Sequence, residues 1–332
     1  MAEDRPGEFE LIKRYFAPLA SDPGSVGLTD DAAVFKAPSG RDLVLTKDML
    51  AADVHFFSSD PPEAIAAKAL RVNLSDLAAK GARARGYLLG LALPRDWDAE
   101  WLRRFCGGLS GDQAAFDVTL LGGDTIKSGD GLQVSVTAIG DVPAGRAVRR
   151  SGARAGDRIY VTGTLGDAAA GLQARLDPGF SARYGLNAEQ ETHVLNRYLL
   201  PQPRVTLAPA IEAFAAASMD ISDGVFADAA HMAAASGVDL HLRLEDLPVS
   251  NALAAIKAAD KQMFRRCLGG GDDYEILAAV PETTAAEFEA AAGRAQCPVT
   301  LIGEAQPGSG QVLASENGTI LSIGAADGFR HF

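Results

Sequence analysis

Five short stretches of this 332-residue chain set an aspartate beside Gly, Ser or Thr after an apolar run: LTDD (28–31), LTKD (45–48), LLGGD (120–124), SMDISDG (218–224) and LGGGDD (268–273). Carboxylates are hard oxygen ligands suited to Mg²⁺, and Mg²⁺ held by few protein ligands usually brings phosphates with it. No His/Cys grouping competes for a softer metal. Asp30 and Asp31 are adjacent and precede AAVF, which reads as a buried strand. Side by side they repel, and burial would also cost them hydration. A divalent cation offsets both effects. The chemistry suggested is the handling of a nucleoside triphosphate through metal ions.

Taken singly, these groups have ordinary readings. Asp223, before a helix, and Asp167, in LGDAAAGL, are N-cap candidates. Asp76 shares a helical stripe with Asn73 and Lys80, beside an apolar stripe of Leu70, Leu74 and Leu77, and pairs with Lys80 in the plainest reading. There is no GxxxxGK[ST] loop and no well-placed GxGxxG. Glycine turns at 122–124, 163–167 and 269–273 instead offer main-chain N–H groups to an anion. Arg146, Arg149, Arg150 and Arg154 read as a solvated loop, and His55 as a core-edge histidine. The recurrence of strand-end acids is what a shared metal site explains and independent decoration does not.

The elements that must position these residues alternate. DLVLTKDML (42–50) reads as a strand ending at a carboxylate, and residues 61–81 as a helix with Gly81 at the left-handed position beyond its end. Strands are predicted at 86–94, 117–125 and 132–142, with a helix at 96–109 capped by Asp96. The Gly-, Arg- and Pro-rich stretch 141–158 lacks apolar periodicity and marks a junction. It divides the chain into domains 1–145 and 146–332. The second half restarts with the strand RIYVTGTLG, a helix at DAAAGL, a helix at 225–237, and strands at 274–280 and 299–305. Two α/β or α+β domains are expected.

Composition narrows the function classes. A formal net charge of −12 argues against a broad basic face for nucleic acid. Hydrophobic residues at 47% and charged ones at 22% are ordinary for a globular protein. Cys106, Cys267 and Cys297 lack CxxC spacing, which fits a reducing compartment. MAEDRPGEFELIKRYF has no basic segment followed by an apolar one, so no secretory leader is expected. The longest apolar run, around 87–93, is too short to span a bilayer. A cytoplasmic protein is expected, binding neither membrane nor nucleic acid.

In order along nearly the whole chain, the segments GEFELIKRYF, LTDDAAV, TKDMLAADVHF, KALRVNLSDLAAKGA, LLGGDT, SVTAIG, RRSGARAGDRIYVTGTLGDAAAGL, MDISDG, GGGDDYEI and GFRHF resemble the thiamine-monophosphate kinase family. This family belongs to the aminoimidazole ribonucleotide synthetase superfamily. The resemblance implies a two-domain α/β (α+β) fold that dimerises through its N-terminal domain, a C-terminal domain completing the cleft, and γ-phosphoryl transfer from ATP to thiamine monophosphate with Mg²⁺. It implies Mg²⁺ ligands at Asp31, Thr46, Asp48, Asp76, Asp124, Asp220 and Asp223. Lys47, where the family often has Thr, would offer only its main-chain carbonyl or a charge to a phosphate. Nucleotide contacts are implied from Gly123, Asp124, Arg150 and Ser222, and thiamine phosphate contacts from His55, Asp272 and Phe329. Asp272 replaces a common Glu, and Cys106 falls where an aromatic near the adenine is often found.

The attacking group in such a reaction is the substrate's own phosphate, largely a dianion given a second pKa near ~6. No general base is needed, and no Ser–His–Asp or Cys–His constellation is evident. Asp48, Asp76 and Asp124 then act as metal ligands instead of proton carriers. Among relatives sharing the fold, a selenophosphate synthetase would need a reactive N-terminal cysteine, and the first here is Cys106. A hydrogenase-maturation dehydratase would need a cysteine tail, and this sequence ends in HF. The remaining alternatives are a purine-type synthetase of the same superfamily and a non-catalytic thiamine-phosphate or nucleotide sensor.

Overall fold

The computed structural model describes residues 7–321, so Phe329 and the closing GFRHF lie outside the described residues. The chain forms two compact units. Residues up to Leu77 with Ala82–Gly145 make the first, and Ala78–Gly81 with the residues from Arg146 onward make the second.

The first unit is built on four strands, β1 (Arg41–Ala51), β2 (Arg83–Leu93), β3 (Thr119–Lys127) and β4 (Gln133–Pro143), in the order β1-β4-β2-β3. β4 is antiparallel to β1 and β2, while β2 and β3 run parallel. A parallel pair needs a crossover, and helix Ala99–Phe116 supplies it. One sheet face carries the core: Val134, Val136, Ala138, Tyr87, Leu89 and Leu91 are all buried. Helix Pro62–Ala79 is fixed to this face by hydrogen bonds from Thr46 to Asp76 and from the Asp48 N–H to Asn73. The opposite face is bare among the described residues: Leu45, Met49 and Ile126 are each more than half exposed, and Leu43 and Leu88 accompany them.

The second unit holds seven strands: β5 (Arg158–Thr162), β6 (Ala217–Ile221), β7 (Val238–Arg243), β8 (Glu275–Val280), β9 (Val299–Pro307), β10 (Val312–Glu316) and β11 (Thr319–Leu321). Their order is β11-β10-β7-β9-β5-β8-β6. Here both faces are covered. Alternate residues of β8 join two separate cores, Leu277 and Ala279 with Val225 and Met232 on one side, Ile276 and Ala278 with Ile211 and Phe288 on the other.

Several sequence expectations change. Residues 29–38 form no strand, and Val34, Asp30 and Asp31 are exposed, so the two acids do not border a buried strand. Asp48 and Asp124 lie within β1 and β3, inside the strands read at 42–50 and 117–125, and Asp220 is the penultimate residue of β6. The predicted helix at 96–109 begins at Ala99, capped by Asp98 and not Asp96, with the Trp101 N–H donating to its carboxylate at 2.7 Å. It also continues beyond residue 109, through Gly111, to Phe116. Gly108 is a packing glycine: a Cβ there would strike the Glu63 carbonyl on helix Pro62–Ala79.

Candidate active site

In the first unit, strand alternation sends Thr46 and Asp48 of β1 to the helix-covered face. Thr46 Oγ1 donates to Asp76 Oδ2, and the Asp48 N–H donates to Asn73 Oδ1 at 3.1 Å. Asn73, fully buried, is held in turn by donating Nδ2 to the Ala69 carbonyl at 3.0 Å. Burial, then the neighbouring Asp76 charge, pushes the Asp48 carboxyl up to about 6, and Lys47 pulls weakly the other way. Two acids are thus pressed together with a hydroxyl and an amide orienting them. The Lys47 side chain stands on the opposite face, in line with Leu45 and Met49.

A second group of acids lines a cavity of about 650 Å³. Asp30, Asp31, Gly122, Gly123 and Asp124 contribute its polar wall, with Phe16 and Leu120 among the apolar ones. Asp31 and Asp124 are brought together here, whereas Asp48 and Asp76 do not line this cavity. Gly123 has a packing reason of its own, since a Cβ would overlap the Leu89 carbonyl across the β2–β3 pair. His55 closes the turn after β1, its Nδ1 accepting the Ala51 N–H at 3.1 Å and its carbonyl accepting from the buried Lys68 ammonium at 3.0 Å. Cys106 is buried and its thiol is pushed up to about 12 by that burial, so it presents neither an aromatic face nor a nucleophile.

In the second unit the site residues converge on two facing turns. Asp220 sits near the end of β6, and Ser222 and Asp223 follow it. Neither Asp223 nor Asp167 is an N-cap. Helix Val225–Ser236 is preceded by Gly224, and helix Asp167–Leu176 by Gly166, without a capping side chain in either case. Asp167 accepts from Thr164, Ser250 and His193 instead.

The organiser of the Ser222–Asp223 turn is Asp228, which sequence reasoning missed. Its Oδ2 accepts the N–H groups of both Ser222 and Asp223 at 3.0 Å. Burial pushes Asp228 up to about 7, opposed by those N–H groups and by the charge of Arg150. Arg150 is felt at this turn through its charge, while Arg146 is engaged by Glu212 at 2.6 Å. The only signal in the sequence was an acid in the first turn of the helix after SDG.

The 269–274 turn faces it. The Asp272 N–H donates to the Ser222 carbonyl and the Tyr274 N–H to the Ile221 carbonyl, each at 2.8 Å. Gly271, Asp272 and Tyr274 all have positive φ, at 72°, 66° and 51°. The 163–167 glycine turn proves structural: the N–H groups of Gly163, Leu165 and Gly166 bond to Pro298, Pro248 and Asp273, so they are not offered to an anion.

Among the described residues, no three His, Cys, Asp or Glu side chains gather to hold an ion by themselves. Asp48 with Asp76 nevertheless fits Mg²⁺, which commonly takes one or two carboxylates and completes its shell from phosphate and water. Asp48 is raised first by burial and then by the charge of Asp76, and a divalent cation between the two acids would offset both. No helix among the described residues is long and apolar enough to cross a membrane.

Residues 29–142 match the family "AIR synthase related protein, N-terminal domain" and residues 154–315 match "AIR synthase related protein, C-terminal domain". A thiamine-monophosphate kinase of Caulobacter vibrioides is 42% identical over 92% of this chain and 86% of its own length. The crystal structure of thiamine-monophosphate kinase from Stenotrophomonas maltophilia K279a superposes with a TM-score of 0.79 at 37% identity, covering 89% of this chain and 91% of that one. A structure described as AaThiL complexed with AMPPCP and TMP superposes at 0.76 with 32% identity, over 98% and 97%. Domain matches in the right order and identity sustained along both units agree: this chain belongs to the thiamine-monophosphate kinase family of AIR synthase related proteins.

Proposed function

We propose that this protein transfers the γ-phosphoryl group of ATP to thiamine monophosphate, giving thiamine diphosphate and ADP. The observation that carries the reading is the match along 98% of the chain to a relative complexed with AMPPCP and TMP. The acid pair in the first unit supports it, since two carboxyl groups held together in a partly buried setting suit a metal–phosphate guest. The attacking phosphate is largely a dianion at neutral pH and needs no base. Mg²⁺, when bound, supplies charge neutralisation between the two polyanions.

The chain's own residues hold and orient. Thr46 and Asn73 fix Asp48 and Asp76 as ligands, Asp31 and Asp124 present theirs from the cavity wall, and Asp220 and Asp223 do so in the second unit. Ser222, Arg150, Gly123 and Asp124 serve the nucleotide; His55 and Asp272 serve thiamine phosphate. Lys47 retains only a main-chain role in this scheme. The protein acts in the cytoplasm as a homodimer, and the bare face carrying Leu45, Met49 and Ile126 is the surface a second copy would cover. Sedimentation of wild type against Leu45→Asp tests the dimer: a monomer in the variant alone supports it, and identical sedimentation removes that face from consideration.

Phosphorus NMR of the protein with ATP, Mg²⁺ and thiamine monophosphate tests the activity. Thiamine diphosphate and ADP should appear together and vanish with EDTA. Persisting ATP despite bound thiamine monophosphate would mark a sensor, and ATP loss without thiamine diphosphate a purine-type relative.

A further inference from the structure

The second unit contains a buried charge cluster that the reaction does not consume. Glu275, fully buried at the start of β8, accepts from Thr162 Oγ1 at 2.5 Å, Arg204 Nε at 2.6 Å and Arg197 Nη2 at 2.7 Å. Arg197 Nη2 also donates to the main-chain carbonyl of Asp273 at 3.2 Å. The Asp273 carboxylate, itself buried, accepts the Gly166 N–H at 2.9 and 3.0 Å. Gly163 makes room for the cluster, because a Cβ there would overlap Glu275.

This cluster grips the chain immediately after Asp272. From the other side, the Asp272 and Tyr274 N–H groups are tied to the Ser222 and Ile221 carbonyls. Between these grips the backbone is left-handed at Gly271, Asp272 and Tyr274. L-residues avoid that region, so such a turn persists only where its surroundings over-determine it. Arg197 reaches both the turn's main chain and Glu275. It rides on helix Ala188–Leu199, whose start is fixed by a full capping box between Asn187 and Gln190.

We propose that Arg197 is a positioning residue for Asp272: by holding the Asp273 carbonyl against Glu275 it sets the left-handed turn that presents Asp272 to thiamine monophosphate. The inference rests on the assignment of Asp272 to that substrate in the proposed function. Both bonds leave one nitrogen, Nη2, so a lysine keeps the charge but must bring its shorter-reaching ammonium to that same point to serve both acceptors.

The test is steady-state kinetics of wild type, Arg197→Lys and Glu275→Gln, with each substrate varied in turn and the melting temperature recorded. Glu275→Gln weakens the anchor that holds Arg197 against the Asp273 carbonyl. Each variant is expected to raise KM for thiamine monophosphate at least tenfold while KM for ATP stays within threefold. If one variant does not fold, the ratio of the two constants in the other decides. A ratio within twofold of wild type, or both constants rising in step with a falling melting temperature, overturns the proposal. A wild-type protein that makes no thiamine diphosphate overturns the functional reading itself, which separates the two failures.

Discussion

Asp48 and Asp76 in the first unit, and Asp273 and Glu275 in the second, are acids in crowded surroundings put to opposite uses. Glu275 is met by two guanidinium groups and a hydroxyl, so its charge is answered inside the protein. Asp48 is met by another acid, and burial first, then that neighbouring charge, raises its carboxyl to about 6. A charge with its partner supplied by the fold belongs to the framework. A charge set beside one of the same sign has room for a cation from solution, which is the role proposed for it above. Burial alone does not separate the two cases; partner sign does.

The sharpest way to break that distinction is to remove Glu275. Glu275→Gln leaves Arg197 and Arg204 facing a neutral group in a buried setting. A broken buried pair costs about 3–5 kcal/mol, and the loss should appear in denaturant unfolding. If stability is unchanged, the cluster is not framework. Next in size is Asp48→Asn. We expect kcat to fall about 10²–10³-fold, equivalent to roughly 3–4 kcal/mol of transition-state stabilisation. The melting temperature without metal should match or exceed that of wild type, because a repulsion is relieved. A variant that is both destabilised and active would put Asp48 in the framework instead.

A smaller effect follows from pH. Asp48 and Asp228 have folded-state values of about 6 and about 7, above the ordinary 3.8. Between pH 3.8 and these values the folded form holds more protons than the unfolded one. Their contribution to stability is therefore complete below about pH 4 and fades as pH rises through 6 to 7. Metal-free protein should melt higher at pH 5 than these two groups would allow at pH 7.5, and Asp48→Asn should flatten that slope. Adding Mg²⁺ near pH 6 should release protons, measurable with a dye or by calorimetry in two buffers. The smallest effect is expected from Lys47→Thr: with its side chain on the far face, the Mg²⁺ dependence of the rate should move less than threefold. A larger shift would mean that the lysine charge reaches the acid pair in the working enzyme.

The sequence made some elements plain. Helix Pro62–Ala79 and the left-handed Gly81 follow from apolar periodicity and a glycine stop. β1 and β4 follow from alternation. The helix read at 96–109 stopped one residue after Gly107 and Gly108 and short of Gly111, because glycine's low helix propensity reads as a stop. The acids were recognised as a set, but their placement within strands depended on where pairing ends, which composition does not reveal. Asp228 and the Arg197–Glu275 pair were invisible for another reason. The former acts on residues five and six positions earlier, and the latter spans 78 residues. Neither is a spacing that local patterns encode.

One boundary has a practical meaning for anyone building hybrids of this protein with a relative. Ala78–Gly81, at and just beyond the end of helix Pro62–Ala79, are grouped with the second unit. Lys80 donates to the Ser218 carbonyl at 2.7 Å, the Val148 N–H donates back to the Lys80 carbonyl at 3.1 Å, and a Cβ on Gly81 would sit 2.8 Å from that of Glu212. A single crossover at residue 145 would hand the second unit a foreign tetrapeptide in the middle of its own packing. A chimera that respects the molecule has three joints, and the smallest piece exchanged is four residues long.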